Sequence, residues 1–163
     1  MRLQGKTTMI TGASRNIGRE IAITFAREGS DLILNTRSSK AELNEVASLC
    51  EGLGVKTYIV MGDVTDPDKS TQMVQEGINA LGKIDVLVSN VAIRPHKPIL
   101  EASNEEWSSV MHTNLFPAFY LIKAVLPGMI DRKSGSIIAL GGQAAITGRP
   151  ETASVTTAKH GLL

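Results

Sequence analysis

The sequence predicts an α/β protein, a parallel sheet wound on both faces by helices, and three observations carry that prediction. Short runs rich in Val, Ile and Leu alternate with longer segments in which apolar residues recur at intervals of three and four. Five such pairs can be counted, the last one cut short. The short runs are almost continuously apolar, the pattern of strands covered on both faces. The longer segments suit helical crossovers, which join parallel neighbours. The strands expected are Thr7 to Thr11, Asp31 to Asn35, Lys56 to Met61, Ile84 to Ser89 and Ser136 to Leu140.

The helices between them have recognisable beginnings. Ser39 with Glu42, and Ser103 with Glu106, have the spacing of capping boxes, in which a hydroxyl and a carboxylate satisfy free backbone N–H groups. Asp66 before Pro67 is an N-cap followed by the residue best preformed for a first turn. The inner stripes expected are Ile17, Ile21 and Phe25; Leu43, Val46 and Cys50; Val74, Ile78 and Leu81; and Trp107, Val110 and Met111. Tyr58 and Tyr120 read as core residues of a strand and a helix.

Composition narrows the function classes. In 163 residues there are 17 Lys and Arg against 16 Asp and Glu, a formal charge of +1, which gives no electrostatic argument for nucleic acid or an anionic membrane. The most apolar stretch, Leu115 to Ile130, is interrupted by Pro117, Lys123 and Pro127 and is shorter than the roughly 20 residues of a membrane helix. A single cysteine, Cys50, forms no internal disulfide, and the N-terminal segment has no apolar signal core, so a reducing cytoplasm is expected. No His, Cys and Asp spacing resembles a metal site.

In a sheet of this kind ligands sit at the carboxyl ends of the strands. After the first strand comes Thr11-Gly12-Ala13-Ser14-Arg15-Asn16-Ile17-Gly18, with Ile17 opening a helix. Glycine lets backbone approach a diphosphate closely, and a helix N-terminus offers free N–H groups and the positive end of its dipole. The position of this turn, after the first strand and before a helix, points to a nucleotide-binding, Rossmann-type domain over residues 1 to 163.

The turn is similar to the T-G-x-x-x-G-x-G turn of the short-chain dehydrogenase/reductase family, with Asn16 in place of the second glycine. Asn tolerates a left-handed backbone, so the turn can keep its shape. Its side chain then either donates to a phosphate or lowers affinity. Further segments resemble the family in order: Gly62-Asp63-Val64-Thr65-Asp66, Leu87-Val88-Ser89-Asn90-Val91-Ala92, Asn114-Leu115-Phe116-Pro117-Ala118-Phe119 and Gly135-Ser136-Ile137-Ile138. The resemblance implies that Gly12, Ser14, Arg15, Asn16, Ile17 and Arg37 hold phosphates and ribose. It assigns Asp63 and Val64 to the adenine, and Asn90 and Lys159 to the nicotinamide half. The second strand ends Asn35-Thr36-Arg37 with no acid to accept from a ribose 2′-hydroxyl, while Arg15 and Arg37 suit a 2′-phosphate, so NADP(H) is expected over NAD(H). The plainer alternative is that both arginines are simply solvated.

The family's chemistry, hydride transfer between nicotinamide and a carbonyl or alcohol, uses a Tyr, a Lys four residues on, a Ser and an Asn. Asn114 and Lys159 match. Val155 stands at the Tyr position, framed by Gly148-Arg149-Pro150 and Ala158-Lys159-His160-Gly161, and Gly142 stands at the Ser position. Loss of proton transfer typically removes 10²–10⁴ in rate. Ser154, Thr156 and Thr157 are poor proton donors, better suited to capping and packing. His96, in the loop after the fourth strand, is the best substitute, against the plainer reading of an exposed loop residue. His112 and His160 read as structural.

Three readings follow: an NADP(H)-dependent carbonyl reductase or alcohol dehydrogenase with an altered site, a catalytically silent dinucleotide-binding subunit or sensor, and a lyase or isomerase on the same fold. A homodimer or homotetramer is implied. A helix is expected from Thr156 to Leu163, and the family continues beyond it with further strands and a lid, so the chain is expected to be incomplete at its C-terminus.

Overall fold

The computed structural model describes residues Met1–Leu163. Five strands form one parallel sheet in the order β3-β2-β1-β4-β5: β1 Thr7–Ile10, β2 Asp31–Thr36, β3 Thr57–Met61, β4 Val86–Ser89 and β5 Ser136–Ala139. The order steps outward from β1 in one direction and then reverses, which opens a crevice above the carboxyl ends of β1 and β4. Register is set by the apolar runs, with Met9 opposite both Ile33 and Leu87.

Alternation along the strands builds two cores. Ile10, Leu32, Leu34, Val86 and Val88 pack under α1 (Asn16–Arg27) and α2 (Lys40–Glu51), where Ala22, Ala26, Leu43, Val46 and Cys50 meet them. Met9, Ile33, Val60 and Leu87 point the other way, into Met73 and Val74 of α3 (Pro67–Leu81) and Leu121, Val125 and Met129 of a later helix, Phe116–Asp131. That helix is α5; α4 (Asn104–Asn114) precedes it, and α6 (Ala153–His160) packs on α4 through Val110, Val155 and Ala158. Burial on both faces holds for β1, β2 and β4. It does not hold for the edges: Ser136, Ile137 and Ile138 of β5 are exposed, as is Tyr58 of β3, because an edge strand lacks a neighbour and part of its helical cover. Tyr58 is therefore a surface residue, whereas Tyr120 is half-buried beside Phe116 and Phe119.

The helix starts divide. Asp66 accepts from the N–H groups of Asp68 and Lys69, and the Ser103–Glu106 capping box has both of its bonds. Ser39 makes no capping bond, because its ψ of 61° leaves the extended conformation that aims a cap hydroxyl at the first turn. The α1 stripe is also different: Gly18, Ala22, Ile23 and Ala26 are buried, while Ile17 is 51% exposed and Ile21 and Phe25 only flank the core. The helix lies so close to the sheet that its inner face admits mainly small side chains. The last helix begins three residues earlier than expected and ends at His160.

Residues Asn104–Asp131 run nearly continuously helical over 28 residues, with a hydropathy that by composition alone would allow a membrane span. The run is broken at Leu115 between α4 and α5, and Leu121, Val125 and Met129 are buried against α3 and the sheet. This is how a core helix of an α/β sheet reads.

Candidate functional site

The turn between β1 and α1 is shaped by backbone that only a few residues adopt. Gly12 has φ +62°, and Asn16 at φ +50° takes the left-handed conformation in place of a glycine. Gly18 is required by contact: a Cβ there would lie 2.2 Å from the Gly12 carbonyl oxygen. Asn90, just past β4, clasps the turn. Its Nδ2 donates to the carbonyls of Thr11 (3.0 Å) and Gly12 (3.1 Å), and its own N–H donates to Thr11 Oγ1. The Asn90 amide is thus spent on holding the glycine turn.

No side chain caps α1, and the N–H groups of Asn16, Ile17 and Gly18 find no acceptor within the chain. These orphan donors, aligned with the positive end of the helix dipole, form an anion site bordered by Arg15 and Ile17 on the surface. Ser14 is buried beneath, its hydroxyl 3.4 Å from Thr36 Oγ1. A dinucleotide's diphosphate fits this set: the close approach needs a side-chain-free Gly12, and the donors are free.

The ends of β2 and β3 form the neighbouring wall. Asn35, buried, donates to the Gly62 carbonyl at 3.1 Å and joins the two loops. Asp63 Oδ1 accepts from the N–H and the hydroxyl of Thr65 at 2.9 and 2.8 Å, while its Oδ2 receives Arg37 Nη1 at 3.3 Å. Burial raises the Asp63 pKa, but the Thr65 and Arg37 bonds outweigh it and hold the carboxyl below its usual range. Val64 is buried in the core cluster with Met73 and Val74, and its carbonyl accepts from the Ser70 hydroxyl at 3.0 Å.

At the far side Asn114, buried at the end of α4, makes a two-bond clasp with Ile93. It accepts from the Ile93 N–H at 2.8 Å and donates to the Ile93 carbonyl at 2.9 Å. Lys159 is 4% exposed, and its Nζ donates to the Leu140 carbonyl at 2.6 Å. Burial pushes its pKa down, and Arg94 adds repulsion. No carboxylate balances that ammonium.

Val155 is 5% exposed and packed against Val110, Ala158 and Ala144, filling an apolar seam between α4 and α6. Gly142 has φ +69° and ψ −171°, a region open essentially to glycine alone. A serine there would be strained although nothing lies within 4 Å of its Cβ. His96 is exposed and makes no hydrogen bond in the loop after β4. His112 and His160 donate locally from Nδ1, to the Ser108 and Thr156 carbonyls one turn back. Thr156 and Thr157 likewise bond within α6 and its cap, to Thr152 and to the Ala153 carbonyl. No group of three or more His, Cys, Asp or Glu is placed to hold a metal ion.

Sequence reasoning passed over Thr11, Asn35 and Arg94. The first two are polar residues at the carboxyl ends of the first two strands, where ligands bind in such a sheet, a signal readable from position; Arg94 had none.

This sheet order, with a glycine turn at its reversal, defines a Rossmann-type α/β protein. The short chain dehydrogenase family model matches residues 6–163, and the chain belongs to that family. It is 33% identical over 158 residues to the 3-oxoacyl-(acyl-carrier-protein) reductase FabG of Staphylococcus aureus (strain Mu50 / ATCC 700699), covering 97% of this chain and 64% of that protein. To FabG of Escherichia coli (strain K12) it is 37% identical over 164 residues, covering 100% of this chain and 65% of the relative. The crystal structure of carveol dehydrogenase from Mycobacterium avium, in complex with NAD, superposes with a TM-score of 0.93 at 26% identity, over 99% of this chain and 63% of that one. The chain thus spans about 64% of the length of the curated relatives it matches.

Proposed function

We propose that residues 1–163 form a single NAD(P)-binding domain of an oxidoreductase that prefers NADP(H) and acts on a small carbonyl or alcohol through an altered site. The observation that carries this reading is the β1–α1 turn, where Gly12, Gly18 and the uncapped N–H groups of Asn16, Ile17 and Gly18 make a cradle for a diphosphate. Arg15 and Arg37 border it on the surface and supply the charge for a 2′-phosphate. Asp63 and the Val64 backbone face the adenine end. Asn90 acts by holding the turn, and Lys159 offers N–H donors to the nicotinamide ribose. The bound cofactor would supply the hydride. FabG and carveol dehydrogenase among the relatives support a reductase role.

A second reading, the catalytically silent subunit or sensor, is favoured by Val155 and Gly142. The first is sealed into an apolar seam and the second fixed in a glycine-only conformation, so neither position is a Tyr or Ser site awaiting one substitution. The cytoplasm and a homo-oligomer belong to the same proposal, supported by the lone buried Cys50 and by the outer face of α5, where Phe119 and Ile130 are each 62% exposed.

Titration with NADPH and NADH, followed by nicotinamide fluorescence, tests the reading. Saturable binding of both, tighter for NADPH, is expected; failure to bind either removes the oxidoreductase and sensor readings together. Turnover of a carbonyl panel with NADPH then separates enzyme from silent subunit.

A further inference from the structure

Arg37 and Asp63 were assigned separate duties, one at the 2′-position and one at the adenine, yet they are bonded to each other. Arg37 follows β2 and Asp63 follows β3, and the paired strand ends Thr36 and Met61 bring the two loops side by side. The two partners are unequal. Asp63 is fixed by its two bonds from Thr65, whereas Arg37 is 74% exposed and has no other partner than Asp63 Oδ2 at 3.3 Å. The anion is therefore held in place and the cation is loosely tethered to it. A 2′-phosphate that takes Arg37 must draw the guanidinium from a fixed carboxylate and then sit near that carboxylate's charge. A 2′-hydroxyl meets neither cost.

We propose that Asp63 sets the discrimination between 2′-phosphorylated and 2′-hydroxyl dinucleotides, by competing with the phosphate for the Arg37 guanidinium. This rests on the reading of Arg37 as the phosphate ligand. Asp63 is thus a positioning residue for selectivity, and it holds NADP(H) preference below what Arg15 and Arg37 alone would give. The pair is solvated and screened by salt, so its effect is modest, about two- to fivefold in affinity.

Asp63→Asn separates charge from shape, because the amide oxygen still accepts from Thr65 and still faces the adenine. In fluorescence titrations of the 163-residue chain, Asp63→Asn is expected to raise the NADPH-over-NADH affinity ratio about two- to fivefold, a change at the adenine falling on both cofactors alike. In an Arg37→Ala background the same change is expected to alter that ratio less than about twofold. Asp63→Ser, a second uncharged acceptor, serves if the first variant melts early. An NADPH-over-NADH ratio that is unchanged or lower overturns the proposal, as does a rise that persists without Arg37. If the wild type binds both cofactors and these shifts are missing, only this proposal falls; if it binds neither, the underlying reading falls with it.

Discussion

Asp85 shows how one side chain ties the sheet together beneath the site. It is 5% exposed, its Oδ2 accepts from the Thr7 N–H at 2.9 Å and meets Lys83 Nζ at 2.9 Å. Its own carbonyl accepts from the Ser136 N–H, so β1, β4 and β5 start from one residue. Burial raises the carboxyl's pKa, but the Lys83 contact and the Thr7 N–H outweigh it and hold the group below its usual value. A folded pKa below the unfolded one, about 3.9, means the stabilisation is complete above that value and lost as pH falls through the folded pKa. Asp85→Asn is therefore expected to cost about 1–3 kcal/mol at pH 7. The gap between variant and wild type in urea unfolding should close as pH drops below about 4. A gap that stays constant from neutral to acid pH would show that the ionised form is not what stabilises.

At the scale of elements, α1 and its turn decide the site. The helix seats on the sheet through Gly18, Ala22 and Ala26, and this small-residue face is what brings its amino end over the crevice. Gly18→Ala forces a methyl to 2.2 Å from the Gly12 oxygen and 2.8 Å from Asn90 Nδ2, where the clasp on the turn lies. The expected result is a loss of about 1–3 kcal/mol in thermal or urea unfolding, with NADPH affinity falling by more than tenfold. Unchanged affinity would mean the turn does not hold the diphosphate. The same helix shows where pattern reading stops. Ile17, Ile21 and Phe25 have a perfect helical spacing, yet the buried face is the glycine and alanine one, because hydrophobicity reports what wants burial and not how close two backbones come. Ser39 makes the same point for capping: the residues are right and the ψ is not. Where the polar group's geometry was forced, as at Asp66 before Pro67, sequence and structure agree.

For the whole molecule, the order of elements and the parallel sheet were legible because apolar runs and helical periods repeat with little interruption. The β3 edge was not, since a run such as Thr57–Met61 reads the same whether a neighbour covers it or leaves Tyr58 exposed. The glycine turn could be placed by its position between the first strand and a helix, whereas Asn114 and Lys159 were singled out only by the resemblance to the family's motifs. The pairing of Arg37 with Asp63 and the spending of Asn90 on the turn could not, because both depend on side chains meeting across strands far apart in sequence. The resemblance sets Val155 and Gly142 against the family's Tyr and Ser as letters, while their surroundings came from the structure, in the seam around Val155 and the backbone at Gly142. The central claim is that this sheet reversal exists to seat a dinucleotide. A crystal structure of the chain grown with excess NADPH tests it most directly. The account predicts the diphosphate on the N–H groups of Ile17 and Gly18, with Arg37 turned toward the 2′-phosphate. A crevice filled by its own side chains, or a cofactor seated elsewhere, would contradict it.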